Sequence, residues 1–274
     1  MKQRVISALV GIPILVSFVW FETRWFPLLI LLVAAFVVLG VLEFYRLASL
    51  SGARPATILG LAFSLVFVMN AHLDANYEVD YLAPIFLGSA VALPLIWLYL
   101  FSRDKALLSW AWTLAGILYM GWMMGHYVSL RELDQGRGWV ILAVFSTFAC
   151  DTSAFLIGRK WGRYSLAPRV SPGKTWEGAV AGFLAAPAAA LVIYFLLDIA
   201  DMRLRTSYAQ VVVIGCLIGF FAQLGDLFES LLKRRAGVKD SGKAIPGHGG
   251  VLDRIDSLVF NGAVVYYYVL WVVS

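Results

Sequence analysis

The sequence predicts an all-α, polytopic integral membrane protein of about nine transmembrane helices, N-terminus inside and C-terminus outside. Three observations carry this. Hydrophobic residues make up 61% of the 274-residue chain and charged residues only 14%. The mean hydropathy is +0.81, whereas a soluble domain carries about 25% charged residues. Apolar runs long enough to cross a bilayer as helices recur from one end of the chain to the other. A transmembrane β-barrel would show alternating segments of about ten residues instead of continuous Leu, Val, Ala and Phe.

Taken in order, the apolar segments are 5–21, 25–48, 56–71, 81–101, 107–130, 138–158, 177–198, 208–232 and 252–273. The first is short and follows Lys2 and Arg4, as a signal peptide would. No small-residue cleavage site precedes Glu22-Thr23-Arg24 and another span follows at once, so it reads as an uncleaved first span. The second ends with Glu43 and Arg46 on one helix face, which reads as an interfacial ion pair. His72 and His126 have no partner at metal-ligand spacing. Cys150 and Cys216 lie inside apolar runs without a Cys-x-x-Cys, as small buried residues do. No internal repeat or long linker breaks the chain. Residues 1–137 are expected to build a lipid groove or a dimer contact, and 138–274 the catalytic helices with their polar loops.

Orientation follows from Lys and Arg. With the N-terminus inside, the cytoplasmic segments hold Lys2, Arg4, Arg46, Arg54, Arg103 and Lys105. They also hold Arg159, Lys160, Arg163, Arg169 and Lys174 in loop six, then Lys233, Arg234, Arg235, Lys239, Lys243 and Arg254 in loop eight. That is 17 of the 22 basic residues. The net charge of +5 is therefore no nucleic-acid signature. It is cytoplasmic charge suited to anionic headgroups or a phosphorylated substrate.

Carboxylates inside the spans are the next signal, because each costs about 2.5–3.5 kcal/mol on insertion scales and so faces protein or a wet cavity. Span six carries Asp151, span eight Asp226 and Glu229, and span nine opens with Asp253 and Asp256. Asp226, Glu229 and Lys233 share a helix face, as do Asp253 and Asp256. Asp151 lies seven residues before Gly158 and Asp226 seven before Lys233, so each sits about 10 Å inside its helix end. All five are expected to meet in the cytoplasmic third of the bilayer, where clustered oxygen ligands suit Mg²⁺.

The loops add the phosphate-binding half. "RVSPGKTWEG" sets Lys174 and Thr175 just before Glu177 at the start of span seven. Its "GKT" is no Walker A motif, since Pro168 stands where the first glycine belongs. A lysine beside a helix N-terminus still suits a phosphate. In "VKDSGKAIPGHGGVLDRIDS", residues 238–257, glycines let backbone N–H groups approach phosphate oxygens beside Lys239 and Lys243. Asp253 and Asp256 follow at once.

Residues 230–257, "SLLKRRAGVKDSGKAIPGHGGVLDRIDS", closely resemble the signature of the phosphatidate cytidylyltransferases, the CDP-diacylglycerol synthases of phospholipid synthesis. Ser230, Lys233, Arg234, Lys239, Asp240, His248, Gly249, Gly250, Asp253, Arg254 and Asp256 fall in register. "CDTSAFLIGRKWGR", "SPGKTWEG" and "QLGDLFES" extend the resemblance over about residues 145–273. It implies that CTP and phosphatidic acid give CDP-diacylglycerol and pyrophosphate, with a divalent metal, Mg²⁺, and a second ion left open. The nucleophile is an anionic lipid phosphate, so positioning and charge neutralisation are the catalytic tasks.

By resemblance Asp226 and Asp253 are the metal ligands, with Asp256 and Glu229 as second choices or outer partners. Lys174, Lys233, Arg234 and Lys239 are assigned to phosphates, and His248 to the leaving group or to the turn itself. Asp151, Glu177, Asp240, Gly249, Gly250 and Arg254 complete the expected substrate site, and Asp226, Asp253, Asp256, Lys239 and His248 its catalytic core. The expected partners are CTP, phosphatidic acid and membrane lipids, with a homodimer open and no nucleic acid. The expected location is a bacterial inner membrane, with the site facing the cytoplasm.

Two other classes compete. A CDP-alcohol transferase would show D-G-x₂-A-R-x₈-G-x₃-D-x₃-D, which is absent. A secondary transporter would set its charges near the midplane, not at one face. Reporter fusions after Lys174, Lys243 and Ser274 are expected to report cytoplasm, cytoplasm and exterior in turn; a cytoplasmic Ser274 would break the nine-span count.

Overall fold

A computed structural model describes residues 13–21, 28–77, 82–101, 105–242 and 249–273. Helices fall on all nine apolar segments. They are α1 (13–20), α2 (Leu29–Leu50), α3 (Thr57–Tyr77), α4 (Leu82–Phe101), α5 (Ala106–Gly116) and α6 (Met123–Glu132). Then come α7 (Gly136–Trp161), α8 (Trp176–Ile199), α9 (Tyr208–Arg235) and α10 (Leu252–Tyr268). A π-helical turn, Ile117–Trp122, joins α5 to α6 into one span, and a second, Val269–Val273, ends α10. Among the described residues seven helices are long and apolar enough to cross a membrane. They leave Ile85, Leu93, Ile96 and Leu100 of α4 exposed, a surface that suits lipid rather than water.

One element departs from the all-α expectation. Loop six contains an antiparallel hairpin, β1 (Ser165–Ala167) on β2 (Ser171–Thr175), with Ser165 opposite Thr175 and Ala167 opposite Ser171. Strands this short, without alternating apolar residues, leave no periodic trace in the sequence. The hairpin is tied down from both sides. Thr175 caps α8 by accepting the Gly178 N–H at 3.2 Å, and Arg234 Nε donates to the Val170 carbonyl at 2.9 Å.

Contacts divide the chain into two compact units. The first holds residues 1–132 together with 236–253, so part of the glycine-rich segment belongs with the N-terminal helices. Within it α3 packs on α2, α4 and α6. Tyr45 of α2 is the pivot: its hydroxyl donates to the Thr113 carbonyl at 2.7 Å, and a Cβ at Gly60 or Gly116 would overlap its ring. The turn before α3 is pinned to α5, since Arg54 N donates to Ser109 Oγ and Ala56 N to Thr113 Oγ1, both at 2.9 Å. Gly121 lies against the Ser64 backbone, the close helix approach that small residues permit in membranes.

The second unit holds 133–235 and 254–274. Here α7 packs on α8 and α8 on α9. Gly178 and Gly182 of α8 face the carbonyls of Ala154 and Cys150, and Gly215 of α9 faces Pro187. Cys150 is buried, 3.8 Å from the Gly219 carbonyl, which agrees with its reading as a small packing residue. Asn261 of α10 donates to Thr147 Oγ1 of α7 at 2.7 Å.

Gly121→Ala is expected to lower thermal stability in detergent by about 1–3 kcal/mol, because its methyl meets backbone that cannot yield. Gly88→Ala, with open space where its Cβ would go, should leave the midpoint unchanged or slightly raised. Equal effects at the two glycines would remove the close α3 contact as the cause.

Candidate active site

The site lies in the second unit and starts from three helix positions. On α9, Asp226 and Glu229 lie one turn apart, and on α10 Asp256 meets them. One oxygen from each of the three carboxylates lies within 4.8 Å of the others. Gly225 makes this possible, since a Cβ there would overlap the Asp256 carbonyl oxygen. Glu229 is fully buried and Asp256 is 9% exposed. Burial of like charges this close costs free energy unless cations and donors meet them.

They are met. Lys174, at the end of β2, sets its Nζ 2.8 Å from Asp226 Oδ1. Lys233, one turn beyond Glu229, pairs with that carboxylate. Ser257 N donates to Asp256 Oδ1 at 2.8 Å, and Ser257 Oγ donates to Asp151 Oδ1 at 3.1 Å. Asp151 of α7 is thereby linked to the cluster through one serine. Three acceptor oxygens of hard character, balanced by two lysines, form a donor set that fits a divalent cation such as Mg²⁺.

Beside the cluster is a cavity of about 440 Å³. Asp151, Phe155 and Arg159 line it from α7, Lys174 from the hairpin, and Gln223 and Asp226 from α9. Phe155, Leu166 and Ala179 make part of its wall apolar, and Asp151, Arg159, Lys174 and Asp226 make the rest charged. Gln223 shapes this wall: its Nε2 donates to the carbonyls of Ala179 and Gly219, both at 3.0 Å, and so joins α8 to α9. Neither Gln223 nor Ser257 is visible from sequence spacing, because a neutral polar residue in an apolar helix carries no charge to mark it.

Other expected residues lie elsewhere. Glu177 stands in the first turn of α8 and its Oε2 accepts the Tyr164 N–H at 3.4 Å. Arg234 holds the hairpin turn, and Arg254 is exposed. In the first unit Lys239 and Asp240 are exposed, and Gly249 takes φ +83°, a left-handed conformation that favours glycine. Asp253 Oδ2 accepts from Ser241 N at 3.0 Å, Ser241 Oγ at 2.9 Å and Gly250 N at 2.8 Å. His248 and Lys243 lie outside the described residues.

Glu43 corrects the ion-pair reading. It is 8% exposed, and its recorded hydrogen bonds run not to Arg46 but to Ser241 Oγ, Val251 N and Leu252 N, at 2.9, 3.1 and 2.8 Å. Depth could have found it. Glu43 lies seven residues before Leu50, the last of α2, much as Asp151 lies seven before Gly158 and Asp226 seven before Lys233 in the sequence.

Fold and site together define a helical membrane protein with clustered carboxylates and lysines beside a cavity. The model of the cytidylyltransferase family matches residues 2–272. Phosphatidate cytidylyltransferase of Synechocystis sp. is 31% identical over 98% of this chain and 96% of its own length. That of Pseudomonas aeruginosa is 33% identical over 94% and 93%, and that of Bacillus subtilis 28% over 97% of each. The chain belongs to the phosphatidate cytidylyltransferase family, a family of nucleotidyltransferases.

If Lys174 and Asp226 sense one another as their geometry implies, a double-mutant cycle with Lys174→Met and Asp226→Asn should show coupling. At this partial exposure the expected value is about 0.5–1 kcal/mol in thermal unfolding. Strict additivity would show two independent charges.

Proposed function

We infer that this chain transfers the cytidylyl group of CTP to phosphatidic acid, giving CDP-diacylglycerol and pyrophosphate, at the cluster of Asp226, Glu229 and Asp256. Lys174 carries the argument. Its Nζ stands at the cavity wall, 2.8 Å from Asp226, with Arg159 as a second cation lining the same cavity where a phosphate would sit. An oxygen of the lipid phosphate attacks the α-phosphorus of CTP. The bond to the β-phosphate oxygen breaks, and its electron pair leaves with pyrophosphate. The attacking phosphate is already anionic, so Lys174 serves by holding charge in place rather than by taking a proton.

Asp226, Glu229 and Asp256 would hold Mg²⁺, which when bound neutralises charge on the triphosphate. Sequence reasoning pairs Asp226 with Asp253 instead. Asp253 Oδ2 accepts three hydrogen bonds, two from Ser241 and one from the Gly250 amide, whereas Glu229 and Asp256 share the cluster with Asp226. Lys233 balances Glu229 and, with Lys174 on Asp226, keeps the trio from carrying three uncompensated charges. Ser257 orients both Asp256 and Asp151. The apolar flank of the cavity, with Phe155 and Leu166, suits the acyl end of the lipid. We place the protein in a bacterial inner membrane with this site toward the cytoplasm, on the strength of the basic loops six and eight.

Purified protein in detergent, given CTP labelled at the α-phosphate together with phosphatidic acid, should move label into the lipid and release one pyrophosphate per transfer. Chelation of divalent ions should stop it. Asp226→Asn and Asp256→Asn should each cost on the order of 10²–10³-fold in turnover while the protein still inserts. Label that stays in the aqueous phase would overturn the reading and favour a transporter.

A further inference from the structure

Glu43 is the one carboxylate of α2, 198 residues from its serine partner Ser241. The two flanks of the glycine-rich segment close on it. From one side Ser241 Oγ donates to Oε2 at 2.9 Å. From the other, Val251 N donates to Oε1 at 3.1 Å and Leu252 N to Oε2 at 2.8 Å. Leu252 begins α10 and Val251 directly precedes it, and the first N–H groups of a helix have no partner within it. A negative group there also suits the positive end of the helix dipole. Glu43 therefore serves α10 as a cap supplied by α2.

The glycines fit the same carboxylate. A Cβ at Gly242 would overlap Glu43 Oε1, and one at Gly250 would overlap Oε2 and Ser241 Oγ. Ser241, itself fully buried, also lies 2.9 Å from Asp253 Oδ2, so one hydroxyl proton is shared between two carboxylates. Displacing Glu43 would release Ser241, Asp253 and the start of α10 together. A leucine at this position would cost less to bury, but it would leave two amides without an acceptor and the Ser241 hydroxyl with Asp253 alone.

We propose that Glu43 is a positioning residue for cytidylyl transfer: its carboxylate is the post on which both flanks of the glycine-rich segment, and with them Asp253, are fixed. The functional half of this rests on the reading above. The structural half does not.

Hydrogen–deuterium exchange on the full chain in detergent tests it without turnover. Glu43→Gln keeps the size but turns an amide toward donors. It should speed exchange at Ser241, Val251 and Leu252 while α3 to α6 stay protected. In the label-transfer assay, kcat should fall by on the order of 10–100-fold, as for a misplaced site, with the CTP KM moved far less. Glu43→Asp, which keeps the charge one methylene short, should restore part of both readouts. Ser241→Ala removes one donor but leaves the carboxylate, and it should loosen the same amides if Glu43→Gln does not fold. Wild-type exchange in either folded variant overturns the proposal, as does a lost kcat without faster exchange. Wild-type protein that transfers no label would sink the cytidylyl reading alone, since exchange would still decide Glu43.

Discussion

A carboxylate within an apolar helix stays there only if donors or cations meet it, since an unmet one costs several kcal/mol. Most of the polar architecture of this chain follows from that constraint. Asp226 is met by Lys174, Glu229 by Lys233, Asp256 by the Ser257 amide and Asp151 by the Ser257 hydroxyl. Glu43 and Asp253 are met by Ser241 and by backbone N–H groups around α10. Apart from Ser257 inside α10, these donors come from the hairpin, from helix ends and from the turn before α10, where backbone amides have no helical partner. Charged chemistry and irregular backbone are therefore found in the same places.

Glycine is the second half of that arrangement. Gly225 lets α10 come close enough to α9 for Asp256 to reach Asp226, and Gly242 and Gly250 let two strands of backbone close on Glu43. In the helical stacks Gly182 and Gly215 do the same work without any charge. Small residues thus serve packing in one place and carboxylate solvation in another. A membrane protein has no water to satisfy what packing leaves open.

The two units use these devices differently. In the second, cations on flexible stems, Lys174 and Lys233, neutralise a trio of acids beside an open cavity. Such charges can turn toward an arriving phosphate. In the first, Glu43 is held by two backbone amides and by a buried hydroxyl that it shares with Asp253. One arrangement suits exchange of partners and the other suits permanence.

Hydropathy alone determined the helices, because a bilayer demands about twenty apolar residues per crossing and nothing else in the chain looks like them. All nine segments, from 5–21 to 252–273, contain helix. The acids of the site were legible for the same reason: Asp151, Asp226, Glu229 and Asp256 are charges where charge is costly. Which acids stand together was not legible. Helical spacing relates Asp226 to Glu229 and Asp253 to Asp256, but it holds no information on how one helix is set against another. Only tertiary packing, through Gly225, put Asp256 into the trio, and only the fold brought Ser241 and the Gly250 amide onto Asp253. Glu43 shows the limit most plainly. Its nearest charge in sequence is Arg46, and its partners are brought from 198 and more residues away by the fold. Local periodicity reports what a residue costs to bury, and the three-dimensional structure alone decides which groups meet that cost.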